Sequence, residues 1–130
     1  MSKKTSQKLE ILFSILVIVI LLEIVHFTIQ SSELSFILNK SFFFGNLGSN
    51  SLAIFVSLFF ILIVLIYVKR RYVSPVALIF LLSGALTNIA DRLIRGGSVD
   101  YFHLLNIPLF NIPDVLIVLG LAIFFFEIAL

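Results

Sequence analysis

The sequence predicts an integral membrane protein, mainly α, with four transmembrane helices, both termini on the cytoplasmic side and two long loops outside. Three observations carry this prediction. Hydrophobic residues make up 61% of the 130 residues and charged residues only 12%, against roughly 25% charged in soluble domains. Four apolar runs are long enough to cross a bilayer. The basic residues gather at two places, Lys3, Lys4 and Lys8 before the first run and Lys69, Arg70 and Arg71 between the second and third. Four crossings bring both clusters to one side, which the positive-inside rule makes the cytoplasm.

The elements follow in order within a single membrane domain, residues 1–130. The first helix is expected over about residues 9–29, its apolar run interrupted by Glu23 and His26. It resembles a secretory leader only in its basic start, because no small-residue cleavage site follows it. Residues 30–51 carry Ser, Asn and Gly clusters around Phe42, Phe43 and Phe44. They read as an outer loop of strand or re-entrant character. The second helix covers about 52–68 and ends in the basic turn. Ser74 and Pro75 open the third, since Pro is tolerated in a first turn, and it runs over 75–95 to the break at Gly96 and Gly97. A second outer loop, 96–112, leads to a fourth helix over 113–130, with Asn111 as N-cap and Pro113 at the first helical position.

Composition removes whole function classes. The chain has no Cys, hence no thiolate nucleophile, disulfide or Cys-based metal site. A net charge of +2 without a basic stripe on a soluble face gives no footprint for nucleic acid. His26 and His103 are far apart and no HExxH occurs, so neither a metal nor another cofactor is expected. Ser/Lys catalysis needs a lysine on the outer side, where only Lys40 falls.

What remains is carboxylate chemistry. All the aspartates, Asp91, Asp100 and Asp114, lie in the stretch from Gly84 in the third helix to the start of the fourth, and ionisable groups at a bilayer mark functional sites by default. Asn88, Asp91, Arg92 and Arg95 share helical spacing and predict one polar stripe. In it Asp91 is expected to pair with Arg92 or Arg95, a structural role. Taken singly, Asp100 is an ordinary loop carboxylate, and Asp114 complements a helix dipole. Taken together, at the same outer interface, they predict a pair that shares a proton. One member activates a water and the other hydrogen-bonds the carbonyl under attack, which is aspartyl peptide hydrolysis. The helix N-terminus favours the charged form of Asp114 and leaves the shared proton to Asp100. The rival reading is a non-enzymatic four-helix protein, a transporter subunit or an inactive binding scaffold. Transporters keep their polar groups near the midplane, whereas these aspartates sit at one interface.

At these residues the chain resembles the lipoprotein signal peptidases (signal peptidase II) of bacteria. SGALTNIADR is similar to that family's G-G-A-x-G-N-x-x-D-R block, SVDYF to V-V-D-F, FNIPDVLIVLG to F-N-x-A-D-S-x-I-x-x-G, and NKSFFFG (residues 39–45) to N-T-G-A-A-F-G. The resemblance implies Asp100 and Asp114 as the catalytic pair, Asn88, Asp91, Arg92 and Asn111 as supporting polar residues, and Asn39 as part of a substrate-facing loop. It implies a prolipoprotein substrate cut just before a diacylglyceryl-modified Cys, and a small outer β-cradle built from residues 30–51. It also implies a multi-pass protein of the bacterial cytoplasmic membrane whose site faces outwards, working as a monomer among membrane lipids. The chain departs from the family where D-Q-x-x-K becomes Glu23-Ile24-Val25-His26-Phe27, where Ser41, Ser83 and Thr87 replace glycines, and where Pro113 and Val115 flank the second aspartate.

Overall fold

The computed structural model describes residues 1–41 and 48–130; Phe42, Phe43 and Phe44 lie outside the described residues. Among the described residues the helices are α1 (Lys3–Ser31), α2 (Asn50–Arg70), α3 (Pro75–Arg95) and α4 (Ile112–Ala129). All four are long and apolar enough to cross a membrane. The strands are β1 (Ile37–Asn39), β2 (Ser98–Asp100), β3 (Phe102–Leu104) and β4 (Ile107–Phe110).

Local chemistry sets the helix ends. The side chains of Ser2, Ser49, Ser74 and Asn111 each accept from a backbone N–H in the first turn of α1, α2, α3 and α4 respectively. Capping carries α1 and α2 beyond their apolar runs, to starts at Lys3 and Asn50, because a satisfied first turn tolerates polar residues. Pro113 falls one place later than expected, since α4 begins at Ile112. Glu127 has an oxygen 3.3 Å from the backbone N of Ser74 and so ties the end of α4 to the start of α3.

The core is α3. It buries Leu81, Leu82, Gly84, Ala85 and Ile89 together with Ser83, Thr87, Asp91 and Arg92. Helix α1 buries only Ile15, Leu22, His26 and Ile29, and α2 only Ala53, leaving side chains such as Phe13, Phe27 and Phe55 outward. In lipid the apolar face gains nothing from being hidden, so the polar helix takes the centre and small residues govern close packing. Gly84 and Gly120 make the α3–α4 contact. A Cβ on Gly84 would lie 2.5 Å from the Pro113 carbonyl oxygen, and one on Gly120 2.9 Å from the Leu81 nitrogen. Gly84→Val is therefore expected to cost about 1–3 kcal/mol through overpacking. Thermal unfolding in detergent checks this, and an unchanged midpoint contradicts it.

The strands form two antiparallel pairs, β1 with β2 and β3 with β4. Among the described residues, 30–51 contribute β1 to the strand region, and β2, β3 and β4 come from the second loop. The cradle, expected from residues 30–51, thus draws on both loops. The second loop earns its strands through its apolar and aromatic residues, with Phe102 opposite Phe110 and Leu104 opposite Ile107. The first has its polar Ser and Gly clusters on either side of a three-residue strand.

Candidate active site

Asp100 closes β2, and a two-glycine turn puts it there. Gly96 ends α3 in the left-handed region, φ 78°, where glycine pays no Cβ penalty. Gly97 then passes so close to β1 that a Cβ would lie 2.8 Å from the Asn39 carbonyl oxygen. The turn lets β2 pair with β1, with Ile37 opposite Asp100 and Asn39 opposite Ser98. Asn39 Nδ2 reaches Asp100 Oδ2 at 3.2 Å across this pair.

Asp114 is fixed by the start of α4, where every orphan first-turn donor has a partner. Ile112 N–H donates to the Tyr101 hydroxyl at 3.1 Å, and Pro113 has no N–H to satisfy. Asp114 N–H donates to Asn111 Oδ1 at 2.9 Å, and Val115 N–H to the Asn111 carbonyl at 3.3 Å. Asp114 Oδ2 in turn accepts from the Asn111 backbone N–H at 3.1 Å, completing a reciprocal box.

Two asparagines join the carboxylates. Asn88 Nδ2 donates to Asp114 Oδ1 at 2.9 Å. Asn111 Nδ2 lies 3.0 Å from Asn88 Oδ1 and 3.1 Å from Asp100 Oδ1. Ser98, unremarked in the sequence, adds a hydroxyl 3.2 Å from both Asn88 Oδ1 and Asp100 Oδ1. Asp100 is buried and lines an open cleft of about 730 Å³ together with Asn39, Lys40, Ser41, Asn50 and Leu109. Asp114 is not one of the lining residues.

The polar stripe of α3 divides into two sides. Asn88 and Arg92 face the aspartate pair and its loop: the Arg92 guanidinium donates to Asn39 O, Asn50 Oδ1 and Ser41 O at 3.2, 3.1 and 3.0 Å. It braces both flanks of residues 42–47, a role Asn50 shares by donating to Arg92 O at 3.1 Å. Asp91 and Arg95 face α1 instead. Asp91 pairs with Arg95, not Arg92, and its second oxygen meets His26 Nδ1 at 2.6 Å. Arg95 also bonds Glu23 and Gln30. Glu23, His26 and Asp91 bring ligand atoms within 4.8 Å of one another. The Arg95 guanidinium already takes an oxygen of each carboxylate, so positive charge is supplied from within.

Burial pushes the Asp100 carboxyl up to about 6, and the neighbouring Asp114 charge adds to the rise. The Asn39 and Ser98 hydrogen bonds and the Arg92 charge oppose it. A folded-state value above the unfolded one means that the folded chain binds more protons between about pH 4 and 6, so stability falls as pH rises through that window. Asp100→Asn is accordingly expected to melt higher than the parent at pH 7, by a margin on the order of 1–3 kcal/mol. The gain should vanish near pH 4; a variant less stable than the parent at pH 7 contradicts it.

Four membrane-length helices, with the polar α3 at their centre, are capped by short strands. Two solved bacterial membrane enzymes share this fold, with TM-scores of 0.77 and 0.74 at 20% and 21% identity; each covers 92% of this chain, which covers 87% and 92% of theirs. The chain belongs to the signal peptidase II family, whose model matches residues 16–130. The lipoprotein signal peptidase of Moorella thermoacetica is 33% identical over 104 residues, 75% of this chain and 69% of that protein. That of Acinetobacter baumannii is 42% identical over 74 residues, 54% of this chain and 42% of its own length. The Bacillus subtilis protein is 35% identical over 68 residues, 49% of this chain and 44% of its own length. The matched stretch thus spans under half of the Acinetobacter and Bacillus proteins.

Proposed function

We propose that the chain is an aspartyl endopeptidase that removes the signal peptide from diacylglyceryl-modified prolipoproteins, cutting before the lipidated Cys. The observation that carries this reading is the joining of Asp100 and Asp114 through Asn88 and Asn111, with Asp100 at a cleft. Asp100, raised to about 6, holds the shared proton and donates it to the scissile carbonyl oxygen. Asp114, in the positive field at the α4 N-terminus, takes a proton from the attacking water. The gem-diol intermediate collapses as Asp114 passes its proton to the leaving amine, the C–N bond breaks, and Asp100 takes back a proton from the gem-diol hydroxyl, so the pair returns to its singly protonated state. Asn39, Asn88, Asn111 and Arg92 hold the carboxylates and the loop, and Asp91 serves the α1–α3 packing. No metal or cofactor enters this chemistry.

Membership of the family supports the substrate class, and the positions of both carboxylates on one chain support a monomer. The test is incubation of the purified protein with a lipidated precursor and mass measurement of the products. A fragment ending just before the lipidated Cys is expected, and an intact precursor rejects the reading.

The basic turn at Lys69, Arg70 and Arg71 argues for α2 and α3 meeting in the cytoplasm of a bacterial cytoplasmic membrane, with the aspartates at the outer face. Cysteines placed at the exposed positions Glu33 and Tyr72 should differ in intact cells: a membrane-impermeant thiol reagent is expected to reach the first and not the second. Equal labelling contradicts the orientation.

A further inference from the structure

We infer that His26 is a positioning residue for the aspartate pair, acting through Tyr101 from outside the site. Resting on the peptidase reading, this extends it to residues of α1.

Donor and acceptor counting selects the direction that leaves no donor in the chain of bonds unpaired. Ile112 N–H can only donate, so the Tyr101 oxygen 3.1 Å away accepts. The phenol's own hydrogen then needs an acceptor, and His26 Nε2 lies 3.0 Å off. An accepting Nε2 leaves the ring neutral with its hydrogen on Nδ1, which donates to Asp91 Oδ2 at 2.6 Å. Asp91 is held in turn by Arg95, and Arg95 by Glu23 and Gln30 of α1. Burial pushes the Tyr101 phenol up to about 12, so it stays a donor at working pH. The His26 and Tyr101 rings also meet edge to face, centroids 5.3 Å apart.

The route ends at both halves of the pair. Tyr101 follows Asp100 directly, and its backbone N–H is anchored on Phe110 O at 3.0 Å. Its hydroxyl satisfies the first amide of the helix that carries Asp114. Rotation of this one phenol would therefore disturb the strand end and the helix start together. His26 is wholly buried, as a fixed acceptor needs to be.

The test is a cycle of His26→Phe, Tyr101→Phe and the double variant, assayed in detergent on a diacylglyceryl-Cys peptide. Each single variant is expected to lose roughly 10–100-fold in kcat with KM unchanged, the scale of a small misplacement of catalytic groups. The double variant should lose no more than either single one. His26→Gln, whose amide can both donate to Asp91 and accept from Tyr101, should keep kcat within about threefold of the parent, a shift below 1 kcal/mol. Amide exchange at Ile112 is measured in parallel and should speed up in His26→Phe but not in His26→Gln. Additive losses, a Tyr101→Phe variant with the parent's kcat, or exchange at Ile112 unchanged by His26→Phe would overturn the inference. A parent protein that leaves the peptide whole overturns the peptidase reading and the catalytic effect with it, while exchange at Ile112 still decides whether His26 positions α4.

Discussion

Asp100→Asn and Asp114→Asn are each expected to lower single-turnover cleavage of a diacylglyceryl-Cys peptide by roughly 10⁴-fold or more, with the double variant losing little beyond either single one. The amide keeps the volume and can still accept one hydrogen bond, so the site retains its shape. What it loses is a proton that can move, and either loss halts the same cycle. Binding should survive. Burying the lipid anchor contributes about 0.8 kcal/mol per methylene whatever the protonation of the aspartates. The expected stability gain of Asp100→Asn at neutral pH supplies a control, because inactivity then cannot be laid to unfolding. Cleavage near the parent's rate by either variant rules out the pair.

The four helices were legible in the sequence because lipid demands long apolar runs with satisfied backbones and because basic residues cluster beside them. Helix starts were partly legible: Ser74 and Asn111 cap as expected, while Ser2 and Ser49 act among polar neighbours that gave no contrast. The strands were the least legible part. A three-residue strand such as Ser98–Asp100 has no period to read, and its pairing with β1 is a long-range contact allowed by the absence of a Cβ at Gly97.

Of the candidate site, Asp100, Asp114, Asn88, Asn111, Arg92 and Asn39 were all visible as polar residues in an apolar chain, and the structure brings them together. Ser98 and Asn50 were hidden because a loop Ser or Asn is expected anywhere. The stripe on α3 was read as one side because residues three and four apart are neighbours; yet Asn88–Arg92 and Asp91–Arg95 are two such pairs turned towards different helices. Helical spacing alone does not say where one face ends. His26 was visible as an interruption of α1 and not as part of the site, since its partner Tyr101 is remote in sequence and reads as an ordinary strand aromatic.

Asp91→Asn is expected to produce the largest loss of stability of any change considered. Asp91 is fully buried, as is His26, and the Arg95 side chain is 11% exposed. Both carboxylate oxygens are used, one by His26 Nδ1 and the other by Arg95. An asparagine offers one accepting oxygen and one NH₂, so whichever way it turns, a donor is set against either the imidazole N–H or the guanidinium. It also strips Arg95 of one of its two carboxylate partners, leaving Glu23. Removing one member of a buried ion pair costs about 3–5 kcal/mol, a large share of the 5–15 kcal/mol that typically holds a domain together. The yield of folded protein and its unfolding midpoint should both drop sharply. The bonds that run from Asp91 towards the aspartate pair pass through His26 and Tyr101, so activity per folded molecule should fall no further than in His26→Phe. Asp91→Asn with the parent's midpoint but no cleavage would instead place Asp91 among the groups that perform the reaction.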